Sequence, residues 1–164
     1  MSTQLSLDLG AAPLPYCKVT RAYRVLCVRE PSLPAPTRTC IQHHDDAAAY
    51  ARTLLSDQPS ESCVVIAFDP GHRVIGHIVF RGTAGECPVL PQHIFQFLIL
   101  SCASNFILAH NHPGGTREPS IADWHLTRKL YATGDTLSIR LVDHIIISDT
   151  ATISMRSMSQ WPTI

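Results

Sequence analysis

The chain of 164 residues is 45% hydrophobic and 16% charged, enough for a single domain that buries roughly 70% of its unfolded surface. Thirteen Lys plus Arg balance thirteen Asp plus Glu, so the overall charge does not support direct DNA binding, which usually needs a basic footprint. No apolar run approaches the roughly 18 residues that a membrane-spanning helix requires.

Residues 1–15 read as a flexible tail with too few large apolar side chains for a core, preceding a domain over residues 16–164. The N-terminus has neither the basic residue nor the long apolar block of a secretory signal, which predicts a cytoplasmic protein. The six cysteines, Cys17, Cys27, Cys40, Cys63, Cys87 and Cys102, include no CxxC pair. They read as reduced thiols, with Cys63 and Cys102 in apolar, core-like surroundings. Residues 23–28 predict a strand, stopped by Pro31, Pro34 and Pro36. Residues 45–55, acidic first and alanine-rich inside, predict a helix. Residues 62–68 and 73–80 predict an antiparallel hairpin about the Asp69-Pro70-Gly71-His72 turn. Residues 91–102 are apolar nearly all round and predict a buried helix. A short buried strand follows at 105–109, then a tight Pro113-Gly114-Gly115 loop. A second helix at 120–132 would bury Ile121, Leu126 and Leu130, and two strands, 137–142 and 144–148, close the domain. This pattern is a mixed α/β domain, a sheet flanked by helices.

The densest chemistry lies around His110 and His112. One residue apart in extended chain, their side chains point to the same side and can face one ion. Asp123 follows eleven residues after His112, in the first turn of the next helix, and the Gly114-Gly115 turn lets the chain fold back. Two imidazoles and a carboxylate suit zinc with a fourth position open to water. A His-x-His pair also arises by chance, and Ser120 with Asp123 equally reads as a helix capping box. In that reading the oxygens of Asp123 cannot fully serve both partners. Spacing alone leaves both readings open.

His110-x-His112, seven residues, Ser120, two residues and Asp123 resemble the JAMM metalloprotease motif, also called JAB or MPN+. His-Asn-His-Pro-Gly-Gly followed by Pro119-Ser120 is similar to the RadC branch of that family. Arg81-Gly82-Thr83, the 91–102 helix, Leu126-Thr127-Arg128 and Asp143-His144-Ile145-Ile146 fall in RadC-like order, so the resemblance covers about residues 40–155. It implies a JAB/MPN-like, cytidine-deaminase-like fold, a mixed β-sheet flanked by helices. It also implies a zinc-dependent metalloprotease or isopeptidase-like hydrolase acting on a protein or peptide, with Zn2+ held by His110, His112 and Asp123. The family pattern needs an upstream glutamate, which Glu61 supplies at the start of the 62–68 strand; Glu30 and Glu86 are weaker rivals. By that resemblance Glu61 takes a proton from zinc-activated water as it attacks an amide carbonyl, and Ser120 donates a hydrogen bond to the oxyanion. No Ser-His-Asp triad is apparent, and the zinc-deaminase signature is absent from the sequence. His144 reads as a satisfied structural residue, His125 as a neighbour of the ligands, and His43, His44, His72 and His77 as surface.

Three departures stand out. Gly114 replaces a serine usual in RadC-like proteins, Gln92-His93 stands where Arg-Glu is common, and residues 1–40 leave no room for the helix-hairpin-helix segment often found before the domain. The tail carries its own resemblance. Gln4-Leu5-Ser6-Leu7-Asp8-Leu9 is similar to the hexapeptide that binds the bacterial DNA polymerase sliding clamp, with Leu5, Leu7 and Leu9 as apolar contacts and Gln4 as the amide. This supports an alternative: a non-catalytic DNA repair or replication accessory protein recruited through its tail.

Overall fold

The computed structural model describes residues 40–55, 60–82, 89–148 and 151–163. The clamp-like peptide with Gln4, Leu5, Leu7 and Leu9, the strand expected at 23–28, Glu30 and Glu86 all lie outside these residues. The elements are α1 (His44–Leu55), β1 (Ser62–Phe68), β2 (Val74–Arg81), α2 (Pro91–Leu100), β3 (Asn105–Asn111), α3 (Ile121–Thr136), β4 (Arg140–Ile147) and β5 (Thr152–Ser154), followed by a short 3-10 turn, Met155–Ser157. The five strands form one mixed sheet in the order β2-β1-β3-β4-β5. β3 and β4 run parallel, joined through α3, and the other neighbours are antiparallel. Among the described residues, no helix is long and apolar enough to cross a membrane.

The hairpin forms where expected, because Asp69 organises it. Its Oδ1 accepts from the backbone N–H of Gly71 and Arg73 at 2.8 and 3.0 Å, and its carbonyl accepts from His72 at 3.0 Å. β1 is an interior strand between β2 and β3, buried along its whole length as an apolar strand covered on both faces must be. Its alternation separates two cores. Val64, Ile66 and Phe68 meet α1 through Ala47, Ala48, Ala51 and Leu55. Cys63, Val65 and Ala67 face the other side, with Phe95 and Leu98 of α2 and Leu130 of α3.

Several expectations need correction. The 91–102 segment is not buried all round: α2 ends at Leu100, and Ile99 and Leu100 are exposed. Ile94, Phe95 and Leu98 are buried, with Phe97 half-buried against the same core, one side of a helix that lies on the sheet rather than inside it. Cys102, expected in the core, is exposed in the turn beyond α2 with φ of 54°, whereas Cys63 is buried as expected. Ile121 is 79% exposed at the first turn of α3, whose buried face is Asp123, Thr127, Leu130 and Gly134. α3 also runs on to Thr136 and packs so closely that a Cβ at Gly134 would collide with the Ile139 carbonyl oxygen. The two strands expected at 137–142 and 144–148 are the single strand β4, and β5 was not foreseen.

The break in the β4 pattern is a bulge. Phe106 pairs with Leu141 but Ile107 pairs with Asp143, so β4 has one extra residue there. The extra residue inverts the alternation: Leu141 faces the α2/α3 side, Asp143 pairs with Ile107 of the α1-side core, and His144 pairs with Leu108 of the opposite core. His144 thereby shares a face with His110.

Candidate metal centre

The candidate site sits where the C-terminal end of β3 meets the N-terminus of α3. β3 runs two residues beyond the strand expected from the sequence, so His110 is a strand residue, paired with Cys63 in β1 and Ile146 in β4, and only 1% exposed. His112 continues the ladder one step further, its N–H donating to the Ile147 carbonyl at 2.9 Å. The loop through Gly115 (φ 74°) then returns the chain to Ser120, the N-cap of α3. One ligand atom from each of Glu61, His110, His112 and Asp123 lies within 4.8 Å of all the others. Four residues that lie up to 62 positions apart in sequence are therefore brought to one point.

Asp123 reconciles the two readings of its neighbourhood. The capping box with Ser120 is formed: the Asp123 N–H donates to Ser120 Oγ at 3.1 Å, and the Ser120 N–H donates to Asp123 Oδ2 at 2.7 Å. The Ser120 hydroxyl also donates to Oδ2, at 2.6 Å. Asp123 Oδ1 instead lies 3.2 Å from His110 Nε2. Oδ2 caps the helix and lies 3.6 Å from His112 Nε2, while Oδ1 is left to face His110, so capping and facing the imidazoles coexist on one carboxylate.

The hydrogen bonds assign the tautomers. His112 Nδ1 lies 2.9 Å from the Thr116 carbonyl, which only accepts, so Nδ1 carries the proton and Nε2 is bare. Thr127 Oγ1 donates to the Asp123 carbonyl at 2.6 Å and so accepts from His144 Nδ1, also at 2.6 Å. His144 Nε2 is then bare and accepts from His110 Nδ1 at 2.8 Å. His110 Nε2 is bare in turn. Two lone pairs thus face each other across 2.8 Å, with a carboxylate beside them. Such an arrangement calls for a cation, and the donor set of imidazole nitrogens and carboxylate oxygens fits a divalent metal ion.

The electrostatics set the two imidazoles apart. Burial pushes His110 down to about 4, against the raising influence of Asp123, so it stays neutral. His112 is raised, chiefly by its hydrogen bond to Asp123. Burial alone would raise Asp123, but His112, His110 and the Ser120 hydrogen bonds together hold it ionised.

Glu61 stands half-buried just before β1, and the backbone of residues 60–62 is held by three hydrogen bonds. Gly82 N–H donates to its carbonyl at 2.9 Å. Asn111, between the two histidines, accepts from Ser62 N–H at 2.6 Å and donates to the Ser60 carbonyl at 3.2 Å. Sequence reasoning gave no role to Asn111 or Thr127. Thr127 was visible as the residue four beyond Asp123 on the same helix face; Asn111 left no such signal. His125, expected near the ligands, is exposed, and the neighbour of His110 is His144.

A mixed five-stranded α/β/α sandwich with this His/His/Asp/Glu group defines a JAB-type domain. Residues 41–160 match the family model described as the RadC-like JAB domain. The chain is similar to a UPF0758 protein of Halorhodospira halophila (strain DSM 244 / SL1), 36% identical over 128 residues, which is 77% of this chain and 54% of the relative. It is also similar to a UPF0758 protein of Aeromonas hydrophila subsp. hydrophila, 39% identical over 106 residues, covering 64% of this chain and 47% of the relative. The chain belongs to the RadC-like JAB/MPN family. It spans about half the length of the curated relatives it matches.

Proposed function

We propose that this domain is a zinc-dependent hydrolase of amide bonds, a metalloprotease or isopeptidase of the RadC type, working on a protein or peptide in the cytoplasm. The observation that carries the reading is the pair of bare imidazole nitrogens, 2.8 Å apart, beside the Asp123 carboxylate. His110, His112 and Asp123 would hold the ion. When bound, zinc lowers the pKa of water and polarises a carbonyl. Glu61, within 4.8 Å of the ligand atoms, takes the proton from the attacking water on its carboxylate and returns it to the leaving amine. Ser120 turns its hydroxyl from Asp123 Oδ2 to the developing oxyanion.

The test is zinc per chain in tag-free protein beside His112→Ala, followed by digestion of a peptide pool read by mass spectrometry. About one zinc is expected, lost in the variant, with cleavage abolished both by a chelator and in zinc-loaded Glu61→Gln. Absence of zinc from the reconstituted protein would sink the reading, and cleavage that survives Glu61→Gln would remove Glu61 from its role. The second reading, a DNA repair or replication accessory protein, is favoured by the Gln4-Leu5-x-Leu7-x-Leu9 peptide alone. Binding to a polymerase sliding clamp that persists after Leu7→Ala and Leu9→Ala would exclude recruitment by that peptide.

A further inference from the structure

The buried chain of hydrogen bonds behind His110 closes on itself. It leaves the His110 ring, passes through His144 of β4 and Thr127 of α3, and ends on the backbone carbonyl of Asp123, whose carboxylate faces the other side of the same His110 ring. His144 and Thr127 are fully buried, and Met155 Sδ lies 3.8 Å from the Thr127 hydroxyl. We propose that Thr127 and His144 are positioning residues that hold His110 as its Nδ1–H tautomer, keeping Nε2 bare for a divalent cation. This rests on the metal-site reading above.

The hydroxyl proton of Thr127 decides the direction of the whole chain. It lies toward the Asp123 carbonyl, because an O···O separation of 2.6 Å with no proton between is repulsive. Turned toward His144 Nδ1 instead, it would move the His144 proton to Nε2 and the His110 proton to its own Nε2. That nitrogen would then donate to Asp123 Oδ1 or His112 and be closed to a metal. Without the hydroxyl, the buried His144 Nδ1–H loses the acceptor it has, and the closed arrangement is favoured. Outer partners that fix the tautomer of a ligating histidine typically alter metal affinity 10–100-fold.

The experiment compares the wild-type chain with Thr127→Val, which keeps the shape and removes the hydroxyl, and Thr127→Ser, which restores it. Zinc affinity is read by competition with a chromophoric chelator at pH 7.5, after circular dichroism confirms folding. Thr127→Val should bind zinc about 10–100-fold more weakly, with Thr127→Ser close to wild type. In metal-free protein, long-range 1H–15N spectra should show His110 protonated at Nδ1 in wild type and at Nε2 in Thr127→Val. Equal affinity in Thr127→Val, or a serine variant as weak as the valine one, would overturn the proposal while leaving the metal site intact. A metal-free wild type protonated at His110 Nε2 would overturn it without any variant. Failure of wild type to take up zinc would remove the metal-site reading and this one together.

Discussion

Asp123 shows how much one side chain does at this site. Oδ2 accepts two hydrogen bonds, from Ser120 N–H and Ser120 O–H, and lies 3.6 Å from His112 Nε2, while Oδ1 faces His110. Helix capping therefore fixes the rotamer in which Oδ1 faces His110, the one the proposed metal site would use. Replacing Ser120 by Ala removes the acceptor for Asp123 N–H, a loss of about 1 kcal/mol at an N-cap. It also removes the hydroxyl proposed to meet the oxyanion, which costs on the order of 10²-fold in kcat at comparable sites. The expected result for zinc-loaded Ser120→Ala is a fall in kcat of that order with KM little changed, together with a lower urea midpoint. A full kcat with the stability loss alone would leave Ser120 as a cap and nothing more.

At the scale of elements, what could be read from the sequence was whatever local chemistry determines. The Asp69-Pro70-Gly71-His72 turn specifies the β1–β2 hairpin, the alanines specify the packed face of α1, and the i, i+2 spacing places His110 and His112 on one side. Asp123 was legible as the carboxylate at the start of α3, and Glu61 only through resemblance to a family. What stayed hidden depends on partners distant in the chain. The bulge opposite Phe106/Ile107 has no local marker, so the interrupted alternation at Val142-Asp143-His144 read as two strands instead of one. Its consequence, His144 facing His110, was hidden with it. Hydropathy likewise drew Ile121 inward, whereas tertiary packing gives the buried face to Asp123 and Thr127, polar side chains that meet His110 and His144. Ile99 and Leu100 were misread for a related reason: an all-apolar helix does not reveal which stripe the sheet will cover.

For the molecule as a whole, balanced charges mean that the response to pH is set by a few buried groups and not by net charge. His110 is pushed down to about 4 and His144 well below its ordinary value, both chiefly by burial. The unfolded chain protonates both near 6.5 and the folded chain does not, so between those values the unfolded state binds more protons and folding stability falls as pH falls. For His110 alone the interval from 6.5 to about 4 corresponds to about 3 kcal/mol by pH 4. His112 acts in the opposite direction: its raised pKa contributes stability that is fully present below 6.5 and lost as pH rises through the raised value. Asp123, held down, keeps its contribution until pH falls below the ordinary carboxylate value of 3.8. The metal-free protein should therefore lose urea resistance steadily from pH 6.5 to 4. Under the proposed zinc site, added zinc should reverse the balance at neutral pH, by taking the nitrogen that His112 would protonate and adding stability in proportion to its binding. That increment should be largest at pH 7.5 and vanish as acid protonates His112. Urea midpoints measured with chelator and with zinc at pH 7.5, 6.5, 5.5 and 4.5 read both effects at once. A chelator curve flat across that range would mean that the two buried imidazoles are not held neutral, and a zinc increment independent of pH would place the ion on ligands other than these histidines.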